Sequence, residues 1–140
     1  MLYRARHAAV ALAAVWGLAT AAEPPASAEL RCDVTYAGTT HTLRATPVAD
    51  PYGVASVDIG GRFWFKPVVV GSGTRVDYVK LYAYLDTRRQ PVLVQMVRYL
   101  PPFPPATGPR GADLTGLQAL YAGAVERELQ YQCHLQGVQP

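Results

Sequence analysis

Nucleophilic catalysis needs a serine, threonine or cysteine with a base in reach, and this chain offers few such residues. Beyond residue 28 it has two serines, Ser56 and Ser72, and neither stands in a Gly-x-Ser-x-Gly elbow. Ser72, between Gly71 and Gly73, reads as a turn residue. Gly60-Gly61 and Gly71-Ser72-Gly73 lack the lysine and following helix of a phosphate cradle. A metal site would draw on His41, His134 and Met96, but no His-x-His, His-Glu-x-x-His or Cys-x-x-Cys spacing occurs. Strand alternation puts His41 on the face of Leu43 and His134 opposite Cys133, so the two diverge. Glu126, Glu128 and Asp77 read as ordinary charges of a solvated sheet. No catalytic residue, metal or cofactor is assigned, and an enzyme ranks last among the functional readings.

Binding chemistry is better supplied. Two long runs, Thr74 to Leu85 and Pro91 to Tyr99, flank the charged turn 86–90 and read as a hairpin. If Leu85 faces Val92, then Ala83 faces Val94 and Leu81 faces Met96 on one apolar side. The same register brings Tyr84 to Leu93, Lys80 to Val97 and Tyr78 to Tyr99 on the other, with Tyr82 between them. The candidate binding surface is therefore Tyr78, Lys80, Tyr82, Tyr84 and Tyr99, joined by Phe103 from the loop that follows. That loop, 100–113, is rich in proline and is expected to fold back over the tyrosines. Left uncovered, such a patch marks a docking surface.

The cysteines carry a different expectation. Cys32 and Cys133 are the only two, and the chain opens with the pattern of an export leader. Arg4 and Arg6 precede an Ala-rich apolar run from Ala8 to about Ala22, which Glu23-Pro24-Pro25 ends. At about fifteen residues the run is short for a membrane span, which needs about 20. Small residues allow cleavage after Ala22 or after Ala28, and Ala28 is preferred because the prolines end the apolar run first. The expected division is a signal peptide over 1–28 and a single domain over 29–140, periplasmic or secreted, with no stable membrane span after cleavage. In an oxidising compartment the two cysteines are expected to pair.

Removing Arg4, Arg6 and Glu23 from thirteen basic and ten acidic residues leaves eleven against nine. The net charge of +2 supplies no dense basic stripe, so nucleic acid is not an expected partner.

The remaining segments define the scaffold. Leu30, Cys32, Val34 and Tyr36 alternate with Arg31, Asp33 and Thr35 in a half-buried strand. Residues 37–40 read as its turn and His41 to Pro47 as the returning strand. Asp50-Pro51-Tyr52-Gly53 is a tight-turn sequence, and Val54 to Ile59 meets a Gly60-Gly61 hairpin turn. Arg62 to Val70 follows, with Phe63 and Phe65 on one face and an edge or bulge expected at Pro67. Leu114 to Tyr121 fits helix or strand spacing and is read as a strand. Glu128 to Leu135 points Leu129, Tyr131, Cys133 and Leu135 inward. Tyr131-x-Cys133 resembles the Tyr-x-Cys of immunoglobulin-like domains over three residues, with a longer separation between the cysteines, and no family is assigned.

The expected fold is all-β, a small antiparallel β-sandwich of about seven or eight strands, with a small β-barrel as the alternative, and one disulfide joining first and last strands. The expected function is non-enzymatic binding of an envelope protein or other envelope component. The alternative is a periplasmic protein holding a small ligand or a metal.

Overall fold

The computed structural model describes residues 27–139, together with Ala19 and 21–23. Residues 1–18, with most of the expected export leader, lie outside the described residues.

Among the described residues nine strands form two antiparallel sheets that do not close on each other. The first holds β1 (Glu29–Tyr36), β2 (Thr39–Ala45), β7 (Ala112–Asp113), β8 (Gln118–Ala122) and β9 (Arg127–Gln136). Its order is β2-β1-β9, with β7 and β8 both pairing with β9. The second holds β3 (Val57–Ile59), β4 (Phe63–Ser72), β5 (Arg75–Leu85) and β6 (Val92–Tyr99) in sequence order. This is the sandwich rather than the barrel, with more strands than the seven or eight expected. β7 is the strand that pattern could not show: its two residues exist because the backbone of Ala112 and Asp113 pairs with Leu135 and His134. No periodicity can be read from two residues.

Alternation made these strands. Leu30, Cys32, Val34, Leu129, Tyr131, Cys133 and Leu135 point inward from the first sheet, while Ile59, Phe63, Phe65, Val69, Val79, Leu81 and Ala83 meet them from the second. Turn chemistry fixes the register. Ala37 and Gly38, at φ 49° and 79°, form the two-residue link between β1 and β2. Gly60 and Gly61, at φ 64° and 68°, turn β3 into β4, and a Cβ at Gly60 would lie 2.7 Å from the Tyr36 ring. Pro67 sits where β4 has lost its neighbour, because β3 pairs no further than Val57 opposite Phe65. Its missing N–H therefore costs the ladder nothing on that side.

Cys32 and Cys133 form the disulfide, facing each other directly across β1 and β9 with both residues fully buried. It lies within one sheet, whereas the immunoglobulin-like bridge joins two. The sheets are tied by other means: the Tyr131 hydroxyl donates to Gln95 Oε1 on β6 at 2.7 Å, and its ring lies 5.0 Å from that of Phe65. At the opposite end Ala28 N donates to Gly73 O at 2.8 Å and Gln139 N to Thr74 O at 3.1 Å, which ties the segments before β1 and after β9 to the β4–β5 hairpin.

The β5–β6 register corrects the expectation in part. Leu85 pairs with Val92 and Tyr84 with Leu93 as read, but a bulge at Val94 shifts the remaining pairs by one. Ala83 then faces Gln95, Leu81 faces Val97 and Val79 faces Tyr99 on the core side. Met96 and Arg98 move to the outer side, opposite Tyr82 and Lys80. One extra residue in one strand exchanges the faces of everything beyond it.

Candidate functional site

The outer face of the second sheet is built in rows, since directly opposed residues of antiparallel strands share a face. Across β4, β5 and β6 the rows read Trp64, Tyr84, Leu93, then Lys66, Tyr82, Met96, then Val68, Lys80, Arg98, with Val70 and Tyr78 completing the end. The Tyr82 and Tyr84 rings stack with centroids 6.2 Å apart and planes 10° from parallel. Lys66 Nζ lies 4.6 Å from the Tyr82 centroid and 5.8 Å from that of Tyr84. Lys80 Nζ and the Arg98 guanidinium both lie over Tyr78, at 5.4 and 5.1 Å. Each cation rests on the negative face of a ring, an attraction of about 0.5 to 1 kcal/mol at exposed positions.

Among the described residues Lys66, Lys80 and Arg98 make no ion pair; the four present are Arg31–Asp33, Arg44–Glu29, Arg110–Asp33 and Arg75–Asp77. The rings hold the cations without neutralising them. Trp64 adds an indole N–H that is buried and has no hydrogen-bond partner among the described residues. It lines a shallow depression with Ser56, Tyr84 and Pro91. Leu93 and Met96 are about half exposed, at 51% and 48%.

Of the six residues singled out in the sequence, Tyr78, Lys80, Tyr82 and Tyr84 are brought together here. Tyr99 and Phe103 are not, since both pack against the core cluster. The Tyr99 hydroxyl accordingly has its pKa raised by burial. The proline-rich loop turns to the end of the sandwich instead of back over the tyrosines, which stay partly exposed. There residues 101–106 and Val138 wall an apolar groove of about 760 Å³, with Arg75 at its margin.

Trp64, Lys66, Met96 and Arg98 belong to the face but were not assigned to it from the sequence. For Trp64 and Lys66 the signal was present, because inward Phe63 and Phe65 force their neighbours outward. For Met96 and Arg98 it was not, because the bulge leaves no mark in the alternation.

The other candidate groups stay apart. His41 pairs with Val34 and His134 with Arg31 in the first sheet, and among the described residues no three His, Cys, Asp or Glu side chains cluster as metal ligands. Glu126 sits in a turn at φ 48°, and Glu128 accepts from Tyr121 and Gln130. On the first sheet's outer face Asp33 has its pKa lowered, chiefly by the Thr42 hydroxyl and then by Arg31 and Arg110. Burial pushes the Asp113 carboxyl up, but Gly116 N–H, Gln132 and His134 together outweigh it and lower it.

No family model, curated protein or solved structure matches this chain. The functional reading therefore rests on the site itself.

Proposed function

We propose that this is an exported, non-enzymatic binding protein of the periplasm or extracellular space, and that the outer face of β3–β6 docks an anionic protein or other envelope component. Export is supported by the leader pattern in the sequence and by a buried disulfide, a bond that persists in oxidising compartments. No described helix is long and apolar enough to cross a membrane. The observation that carries the binding reading is the set of three cations held over tyrosine rings with no acid paired to them. A partner carboxylate or phosphate gains charge-assisted hydrogen bonds there, and the half-exposed Leu93 and Met96 with the partly exposed tyrosines supply apolar area beside it.

The test titrates the purified exported protein against the producing cell's envelope fractions, before and after protease treatment, at two salt concentrations. Binding is expected to weaken with salt and to fall at least tenfold in a Lys66→Glu, Lys80→Glu double variant. Equal binding by wild type and variant removes the face from the function. Equally tight binding to a single-stranded oligonucleotide overturns the envelope assignment.

The apolar groove under the proline-rich loop favours a second reading, carriage of a small apolar ligand, since its size fits one. Organic extraction of the purified protein followed by mass spectrometry distinguishes them: a stoichiometric lipid-like compound supports carriage, and an empty extract removes it.

A further inference from the structure

The sandwich has several sheet edges, and they differ. β2 exposes Thr39, Thr40, Thr42 and Arg44; β3, β7 and β8 have three, two and five residues. Each is therefore short or polar, the usual protection against pairing with another chain. β6 is neither. It runs eight residues, Val92–Tyr99, has β5 on one side and no strand on the other, and carries one charge, Arg98. Val92, Leu93, Val94 and Met96 are 37% to 51% exposed. Among the described residues no backbone hydrogen bond joins β6 to any element but β5, so alternate N–H and C=O groups of its outer edge are open for a ladder.

From this edge we infer that the protein forms a two-fold dimer by antiparallel pairing of β6 with β6 of a second copy, making one continuous eight-stranded sheet. A two-fold axis requires the same patch on both partners, and antiparallel strands related by it satisfy that requirement. Centred on Met96, the pairing sets Met96 opposite Met96, Gln95 opposite Val97 and Arg98 opposite Val94 of the second copy. On the axis itself the pair is apolar, Met96 against Met96. The two Arg98 residues lie four positions apart, about 13 Å along the strands, beyond the screening length of about 8 Å at physiological salt. The bulge at Val94 and the charge at Arg98 bound the regular stretch, so the contact is short. It buries less than the roughly 1,200 Å² of a standard stable interface, and the dimer is in concentration-dependent equilibrium with monomer. This goes beyond the proposed binding reading and does not depend on it: Lys66 and Lys80 lie outside the new ladder.

Sedimentation velocity over a concentration series is the primary test, expected to show monomer passing to dimer. Met96→Lys places two like charges directly opposite each other on the axis and is expected to raise the dissociation constant at least tenfold. Leu117→Lys, an exposed position away from β6, is expected to leave it unchanged. Hydrogen exchange gives a readout that needs no variant, with amides of Gln95–Tyr99 expected to slow as concentration rises. Monomer at every concentration up to about 1 mM, a dimer that survives Met96→Lys, or protection appearing on another strand would each overturn the pairing.

Discussion

On the outer side of the first sheet, neighbouring strands answer each other's polar groups. Thr35 and Thr40 share a hydrogen bond at 2.7 Å, Thr42 donates to Asp33 at 2.7 Å, Gln132 donates to Asp113 at 2.8 Å, and Arg44 pairs with Glu29. On the outer side of the second sheet the cations find tyrosine rings and no acid, and the last strand ends in an open edge; each face also holds one buried N–H without a partner among the described residues, Trp64 Nε1 here and Arg31 Nε on the first sheet. The two faces are similarly built from alternating strands, so the difference lies in side-chain choice. A face whose charges are paired internally gains little from a partner; one with unneutralised charges over partly exposed apolar area gains more. On the proposed reading, stability and binding are divided between the sheets, and perturbing each should expose the division.

The largest effect is expected at the disulfide of the first sheet. It closes a loop between residues 101 positions apart, for which the chain-entropy relation gives about 4 to 5 kcal/mol. A domain of this size has about 5 to 15 kcal/mol in all. Replacing both cysteines by alanine should therefore move the urea midpoint far down, while adding a reductant to wild type under unfolding conditions should reproduce most of the shift. A midpoint that barely moves would mean that the unfolded chain is already compact and that the first sheet does not hold the fold.

Next comes the tie between the sheets. Burial, with Tyr99 adding to it, pushes the Tyr131 hydroxyl up to about 12, against about 10 in the unfolded chain. The folded state thus keeps its proton where the unfolded state has lost it. The stability this group contributes is complete below about pH 10 and is lost as pH rises towards 12. Tyr131→Phe should flatten that part of the stability profile and, by leaving Gln95 without its donor, cost about 1 to 2 kcal/mol at neutral pH. Thermal melts from pH 8 to 12 report both, and an unchanged alkaline slope in the variant would assign it to another group.

A smaller effect concerns where the chain begins. Ala28 is fully buried and its N–H donates to Gly73 on the second sheet. A chain starting at Glu29 lacks that methyl and that bond, whereas one starting at Glu23 keeps them. The longer form should be more stable by about 1 to 2 kcal/mol, measured by parallel denaturation of two purified forms. Equal stabilities would show that the 27–28 segment does not contribute to the core.

The parts of the fold legible in the sequence were those that alternation or turn chemistry controls alone. Leu30, Cys32 and Val34, the Gly60-Gly61 hairpin, and the inward Leu129, Tyr131 and Cys133 all follow from a period of two. The bulge at Val94 did not, because it depends on how β5 and β6 meet, and it misplaced Met96 and Arg98. The course of residues 100–111 did not either. Prolines state that a segment is extended without stating where it goes, and Phe103 finds the core instead of the tyrosines.

The smallest expected change is also the one that most directly separates the two sheets. Lys66 and Lys80 sit over rings at 4.6 and 5.4 Å, and each such contact contributes about 0.5 to 1 kcal/mol at most in an exposed setting. Serine at both positions loses those contacts but also removes the mutual repulsion of three neighbouring cations. The two changes oppose each other, so the net effect on unfolding free energy should stay within about 1 kcal/mol of wild type. The same double change should weaken the proposed salt-sensitive envelope binding severalfold, less than the charge-reversing pair does. A Thr35→Val, Thr42→Val pair on the first sheet should behave oppositely, lowering stability by about 1 kcal/mol through the Thr35–Thr40 and Thr42–Asp33 hydrogen bonds it removes, with Arg31 and Arg110 still paired to Asp33, while envelope binding persists. If the lysine pair instead proved costly to stability and neutral to binding, its cations would be structural, and the distinction between a charge-paired sheet and a recognition sheet would collapse.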